Sequence, residues 1–176
     1  MIQLHNTEFI RLLCPTIPHA DIKDCILREQ NKFYRIAYSY TKNSNDAADV
    51  VQEAICKAIA KVKTLNNPEY VKTWFYRILI NEGLNFSRKN KRYLLNNNII
   101  EDISYEDKDV SVSYSMFQAV YELEPKLRTV VILRYYEEMK LAEIASITNS
   151  NLNTVKSRLY KALKLLKISI RSDEFE

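Results

Sequence analysis

At 176 residues and 47% hydrophobic content, the chain can build one large or two small packed domains, which excludes a disordered protein. One Gly and four Pro in all exclude a β-rich fold needing many tight turns, so the expected class is all-α. The net charge of +4 is modest and matters through its distribution, while Cys at positions 14, 25 and 56 form neither a CxxC pair nor metal-ligand spacing.

In chain order, residues 1–20 read as an irregular N-terminal segment, because Pro15 and Pro18 break any helix there. A helical block is expected over 21–93. Its first helix, Ile22 to Tyr40, turns Ile22, Ile26, Phe33, Ile36, Ala37 and Tyr40 towards a core. After a turn at 42–45, Ser44 or Asn45 can cap the next helix, with Asp46 and Asp49 where the helix dipole favours negative charge. That helix has an unbroken apolar stripe from Ala47 through Val62 and ends at Asn66-Asn67-Pro68. A third helix runs from about Glu69 to about Tyr93, with Val71, Phe75, Ile78, Leu79 and Phe86 on its core face.

From 94 to 111 the periodicity collapses into an acidic linker, where Glu101, Asp102, Glu106, Asp107 and Asp109 are offset only by Lys108. The second block, 112–176, is expected to hold a helix over Val112–Leu123, a turn with Pro125, and a helix over Lys126–Glu137. Leu141 to Ile147 then reads as a short helix with Leu141, Ile144, Ala145 and Thr148 on one face. Asn149-Ser150-Asn151 supplies turn and cap chemistry. Leu152 to Lys167 follows, with Leu152, Val155, Leu159, Leu163 and Leu166 inward and Lys156, Arg158, Lys161, Lys164 and Lys167 around them. A short helix, a tight turn and a long basic helix describe a helix-turn-helix, whose second helix enters the DNA major groove. A merely solvated face normally mixes charge signs, and no acid occurs from Leu152 to Arg171.

Two patterns in the first block are ambiguous from the residues alone. Asp46, Asp49 and Glu53 lie at i, i+3 and i+7 with Gln52 beside them; dipole complementation accounts for the first two and not for Glu53. Trp74, Arg77, Asn81, Asn85, Arg88 and Arg92 follow at three- and four-residue steps, with Lys89 in the terminal basic run. Asn and Arg can address base edges and phosphates, and Asn is a poor helix former, but Trp74 by itself reads as core. Tyr34, Tyr38, Tyr40, Tyr135 and Tyr136 sit on expected helices, where packing is the default explanation. His5 and His19 lie in the irregular segment, and there is no Gly-rich phosphate loop, so no enzyme activity, cofactor, metal site or small-molecule substrate is expected. No apolar run reaches the roughly 18 residues that span a bilayer, and no signal-peptide pattern opens the chain, so a cytoplasmic protein without direct membrane insertion is expected.

Three segments together resemble one family: Asp46 to Glu53, Thr73-Trp74-Phe75-Tyr76-Arg77-Ile78, and Thr154-Val155-Lys156-Ser157-Arg158-Leu159. They are similar, in order and spacing, to signatures of bacterial RNA polymerase sigma factors of the extracytoplasmic-function (ECF) class in the sigma-70 family. The resemblance implies a transcription initiation factor with two small helical domains. It implies that Asp46, Asp49, Gln52 and Glu53 meet core RNA polymerase, and that the loop Asn66–Lys72 holds an unpaired promoter base. Trp74, Arg77, Asn81, Asn85, Arg88, Lys89 and Arg92 would face the minus-ten element. Asn153, Thr154, Lys156, Ser157, Arg158 and Lys161 would face the minus-thirty-five element. Core polymerase, promoter DNA and an anti-sigma factor are the implied partners. Asn149 and Asn153 depart from the family's usual Gly; Asn149 still suits the turn, and Asn153 could alter base preference. A stand-alone helix-turn-helix regulator is the alternative, and it would bind duplex DNA tightly without polymerase.

Overall fold

The computed structural model describes residues 20–97 and 113–173, with side chains over 22–93 and 118–167. The expected N-terminal segment therefore lies outside the described residues but for Ala20, as does the acidic linker beyond its first four positions. Every regular element among the described residues is helical. The chain divides into two compact units, Met1–Phe86 and Ser87–Glu176.

In the first unit, α1 (Ala20–Thr41), α2 (Ser44–Ala60) and the beginning of α3 (Val71–Asn97) build the core. The six apolar residues assigned inward on α1 are all buried, joined by Cys25. Lys42 ends α1 in the left-handed region (φ 56°), its N–H bonding to the Tyr38 carbonyl at 2.8 Å. The cap of α2 is Asn43, not Ser44 or Asn45: its Oδ1 accepts from the N–H groups of Asn45 and Asp46 at 2.8 and 3.1 Å. Ala47, Val50, Val51, Ala54, Ile55 and Ala58 are buried along α2. The helix stops at Ala60, short of the expected end, and the chain tightens into 3-10 turns at Val62–Thr64 and Pro68–Tyr70. Val62 consequently leaves the apolar stripe and is only half-buried.

α3 presents Phe75, Tyr76, Leu79 and Ile80 to this core. Phe33 of α1 sits between two of them, its ring centroid 4.5 Å from Phe75 and 5.2 Å, edge-on, from Tyr76. The core face is thus rotated from the expected one: Tyr76 and Ile80 are inside, while Val71, Ile78 and Phe86 are half-buried. The helix also continues to Asn97, four residues into the segment read as linker. Burying each large apolar side chain is worth roughly 1.5–3 kcal/mol, so this interior outweighs any single cap.

The second unit contains α4 (Ser113–Glu122), α5 (Pro125–Val131), α6 (Leu141–Ile147) and α7 (Leu152–Asp173), with α7 packed on the other three. The single helix expected over 126–137 gives way at Ile132 to a π-helical turn ending at Tyr136. The Glu137 N–H reaches the Ile132 carbonyl at 3.2 Å, Glu138 takes φ 54°, and Arg134 Nη1 donates to the Met139 carbonyl at 2.9 Å. Nearly buried Arg128 donates from Nη2 to the Leu123 carbonyl at 2.9 Å, tying α5 to the end of α4. On α6, Ile144 and Ile147 are buried and Leu141, Ala145 and Thr148 half-buried.

Candidate nucleic-acid interface

The helix-turn-helix is assembled by its turn. Asn149 adopts φ 46°, a conformation Asn accepts more readily than most residues, and redirects the chain after α6. The Asn151 side chain accepts from the Thr154 N–H at 2.7 Å and so caps α7. At the other end of α6, the Glu143 carboxylate accepts from the Lys140 N–H at 2.7 Å. α7 then divides cleanly into two faces. Val155, Leu159, Ala162 and Leu166 are buried, while Asn153, Lys156, Ser157 and Lys161 are exposed and Thr154 is half-buried. Leu152, assigned inward from the sequence, is 40% exposed; it precedes the packed part of the helix, and the small Ala162 takes an inward place instead.

Arg158 behaves differently from its neighbours. It is half-buried, and its Nη1 donates to Ser150 Oγ at 3.0 Å, bracing the turn that aims the helix. A groove of about 480 Å³ runs along Asn151, Asn153, Thr154, Ser157 and Lys161, with Glu124 and Lys126 on its opposite side. Tyr160, 70% exposed among the lysines, has no role in the sequence reading. Its signal was an aromatic residue four positions after Lys156 on a polar face.

In the first unit, Asp49, Gln52 and Glu53 stand exposed on α2, whereas Asp46 is half-buried in its first turn. Glu53 is ion-paired with Lys57 at 3.1 Å, and the Lys57 ammonium also holds Glu82 of α3 at 2.5 Å. The Glu82 hydrogen bond, followed by opposing desolvation and then Glu53, raises the Lys57 pKa above that of a free lysine. Sequence reasoning missed this bridge because residues 25 positions apart meet only once the helices pack.

On α3, Arg77, Asn81, Asn85, Arg88, Lys89 and Arg92 are all exposed. The division between units falls after Phe86, so the last three belong with the second unit while continuing the same helix. Trp74 is neither core nor fully presented: half-buried, it donates from Nε1 to Thr64 Oγ1 at 3.2 Å, and Thr64 Oγ1 donates to the Lys61 carbonyl at 2.7 Å. The indole thereby fastens the connection between α2 and α3. Farther along it, Asn67 accepts from the Glu69 N–H at 2.9 Å and Tyr70 is 63% exposed. A cleft of about 370 Å³ separates this connection from α1, lined by Cys25, Arg28 and Glu29 on one side and Glu69 and Lys72 on the other. No group of His, Cys, Asp and Glu suited to a metal ion occurs among the described residues. No helix among them is long and apolar enough to cross a membrane.

Two helical units, one built around a basic helix-turn-helix, are the parts of a promoter-reading factor. Residues 25–93 match the model of Sigma-70 region 2, and residues 116–166 match that of Sigma-70 region 4. RNA polymerase sigma factor SigV of Bacillus subtilis (strain 168) is 44% identical over 151 residues, covering 85% of this chain and 91% of that protein. ECF RNA polymerase sigma factor SigW of the same organism is 31% identical over 168 residues, covering 86% and 88%. The fold is shared with the sigma factor RpoE from Bartonella quintana, solved in complex with the anti-sigma factor NepR: TM-score 0.72, 24% identity, 88% of this chain and 99% of that one. The chain belongs to the sigma-70 family of RNA polymerase sigma factors. Within that family it is of the ECF class, a promoter-specific transcription initiation factor.

Proposed function

We propose that this sigma factor docks on core RNA polymerase through Asp46, Asp49, Gln52 and Glu53 and directs it to a two-part promoter. A region 2-like domain over 21–93 opens and reads the minus-ten element with Arg77, Asn81, Asn85, Arg88, Lys89 and Arg92. In this reading Trp74 acts there by securing the Asn66–Lys72 loop that receives an unpaired base. A linker over 94–111 leads to a region 4-like domain over 112–176. There Asn153, Thr154, Lys156, Ser157 and Lys161 meet the minus-thirty-five element, with Arg158 aiming the helix. The observation that carries this reading is α7, whose exposed face over residues 152–167 bears amide, hydroxyl and ammonium groups with no acidic residue among them. Lys contacts to phosphate supply salt-dependent affinity, and the Asn, Thr and Ser side chains supply sequence choice.

The protein acts in the cytoplasm as a binding factor rather than an enzyme, needs no cofactor and makes no direct membrane insertion. An anti-sigma protein that masks the DNA-reading faces completes the set of partners; the sigma factor RpoE from Bartonella quintana, which shares this fold, was solved in complex with the anti-sigma factor NepR. The test is transcription in vitro from a library of promoter fragments by purified core polymerase, with and without the chain. Initiation that appears only with the chain, at one defined pair of elements, is the expected result. Tight duplex binding without initiation would favour a stand-alone regulator.

A further inference from the structure

Lys57 has a geometry that none of the assigned roles uses. Its ammonium stands between two carboxylates on different helices: Glu53, one turn earlier on α2 at 3.1 Å, and Glu82 of α3 at 2.5 Å. The Glu82 side chain is 14% exposed and Glu53 57% exposed. A carboxylate as buried as Glu82 needs a partner, so the inner half of the bridge fixes the lysine. The outer half then differs from an ordinary surface pair. An isolated i, i+4 pair must immobilise two long side chains for a weak gain, whereas here Lys57 is already held when Glu53 reaches it.

We infer that Lys57 is a positioning residue, which Glu82 holds in place so that it presents the Glu53 carboxylate in a fixed orientation on the polymerase-docking face of α2. The inference rests on the docking role given to that face. Glu82 directly follows Asn81 on α3, so the same ammonium joins the docking helix to the promoter-reading helix and neutralises an acid beside a face that must approach phosphates.

The experiment measures affinity for core polymerase and thermal stability for the full chain and four variants. Lys57→Met should weaken polymerase binding about threefold, and Lys57→Arg should restore it, since a guanidinium can bridge both acids. The exchange Lys57→Glu with Glu82→Lys rebuilds the bond between helices but sets a second acid beside Glu53. It should recover stability while leaving polymerase binding weak. Wild-type affinity in Lys57→Met, or full recovery of affinity in the exchange variant, would overturn the inference and leave the bridge a purely structural one. Asp49→Ala serves as the separate control: unchanged affinity in that variant overturns the docking assignment itself, whatever the Lys57 variants do.

Discussion

The ring of Tyr40 on α1 lies directly against the backbone of Gly83 on α3, filling the space a β-carbon would occupy. A methyl group at Gly83 would come 2.7 Å from Tyr40 Cγ and 2.8 Å from Cε2. This is the chain's one glycine, and it sits inside a helix where glycine is otherwise unfavourable. Replacing it with Ala should gain up to about 1 kcal/mol of helix propensity and lose roughly 1–3 kcal/mol to overpacking. The clash should win, because Tyr40 is buried and surrounded. Urea unfolding should therefore show Gly83→Ala less stable than wild type; a more stable variant would show that the ring moves aside freely.

The sequence could not show why that glycine stands there, because helix spacing says nothing about which neighbour approaches. The stripe of α2 was legible since Ala47 to Ala58 repeats at one period with one buried face. Its end was not: Val62 keeps the pattern, yet the chain departs into 3-10 turns at Lys61. The α3 core was half legible. Tyr76 and Ile80 lie inside because Phe33 packs against the side of the helix that Tyr76 occupies. The left-handed Asn149 was readable from its side chain, whereas the π-helical turn at Ile132–Tyr136 has no local signature. The residues proposed to dock on polymerase and to read the promoter were named through family resemblance. Most of them are exposed, while Trp74 and Arg158 spend a donor on the protein's own loops.

Glu29 should set part of the acid sensitivity of the first unit. Burial alone would raise its pKa, but Lys32 at 3.0 Å and Lys72 at 3.6 Å outweigh that and lower it. A depressed carboxylate pKa means stability that is fully present above the unfolded value of about 4.3 and lost as pH falls through the folded one. Glu29→Gln should be less stable than wild type at neutral pH and show a smaller loss on acidification below about pH 4. Urea midpoints at pH 7 and pH 3 would check this; equal pH slopes would show that the cluster contributes nothing.

The two described thiols should react very differently. Cys25 is 3% exposed, and burial, reinforced by the negative charge of Glu29, pushes its pKa up to about 11. At pH 8 it is therefore almost wholly the unreactive thiol. Cys56 is exposed on α2, one turn beyond Gln52. Iodoacetamide followed by peptide mass analysis should find Cys56 modified and Cys25 modified only after denaturation. Comparable rates at both sites would mean that α1 opens readily from the core.

The cap and the basic face of α7 should separate in the same binding assay. Asn151→Ala removes the bond to the Thr154 N–H and should cost about 1 kcal/mol of stability, with promoter binding weakened because the start of the helix frays. Lys156→Ala should leave stability unchanged, since the side chain is exposed, and weaken binding evenly across promoter sequences. Measured with polymerase holoenzyme against salt concentration, the slope should fall by about 1, the signature of one lost phosphate contact. Arg158→Ala lies between these cases. Losing the bond to Ser150 releases the turn, so both stability and sequence discrimination should drop. If Arg158→Ala instead altered the salt slope alone, the guanidinium would be a phosphate contact and its bond to Ser150 incidental.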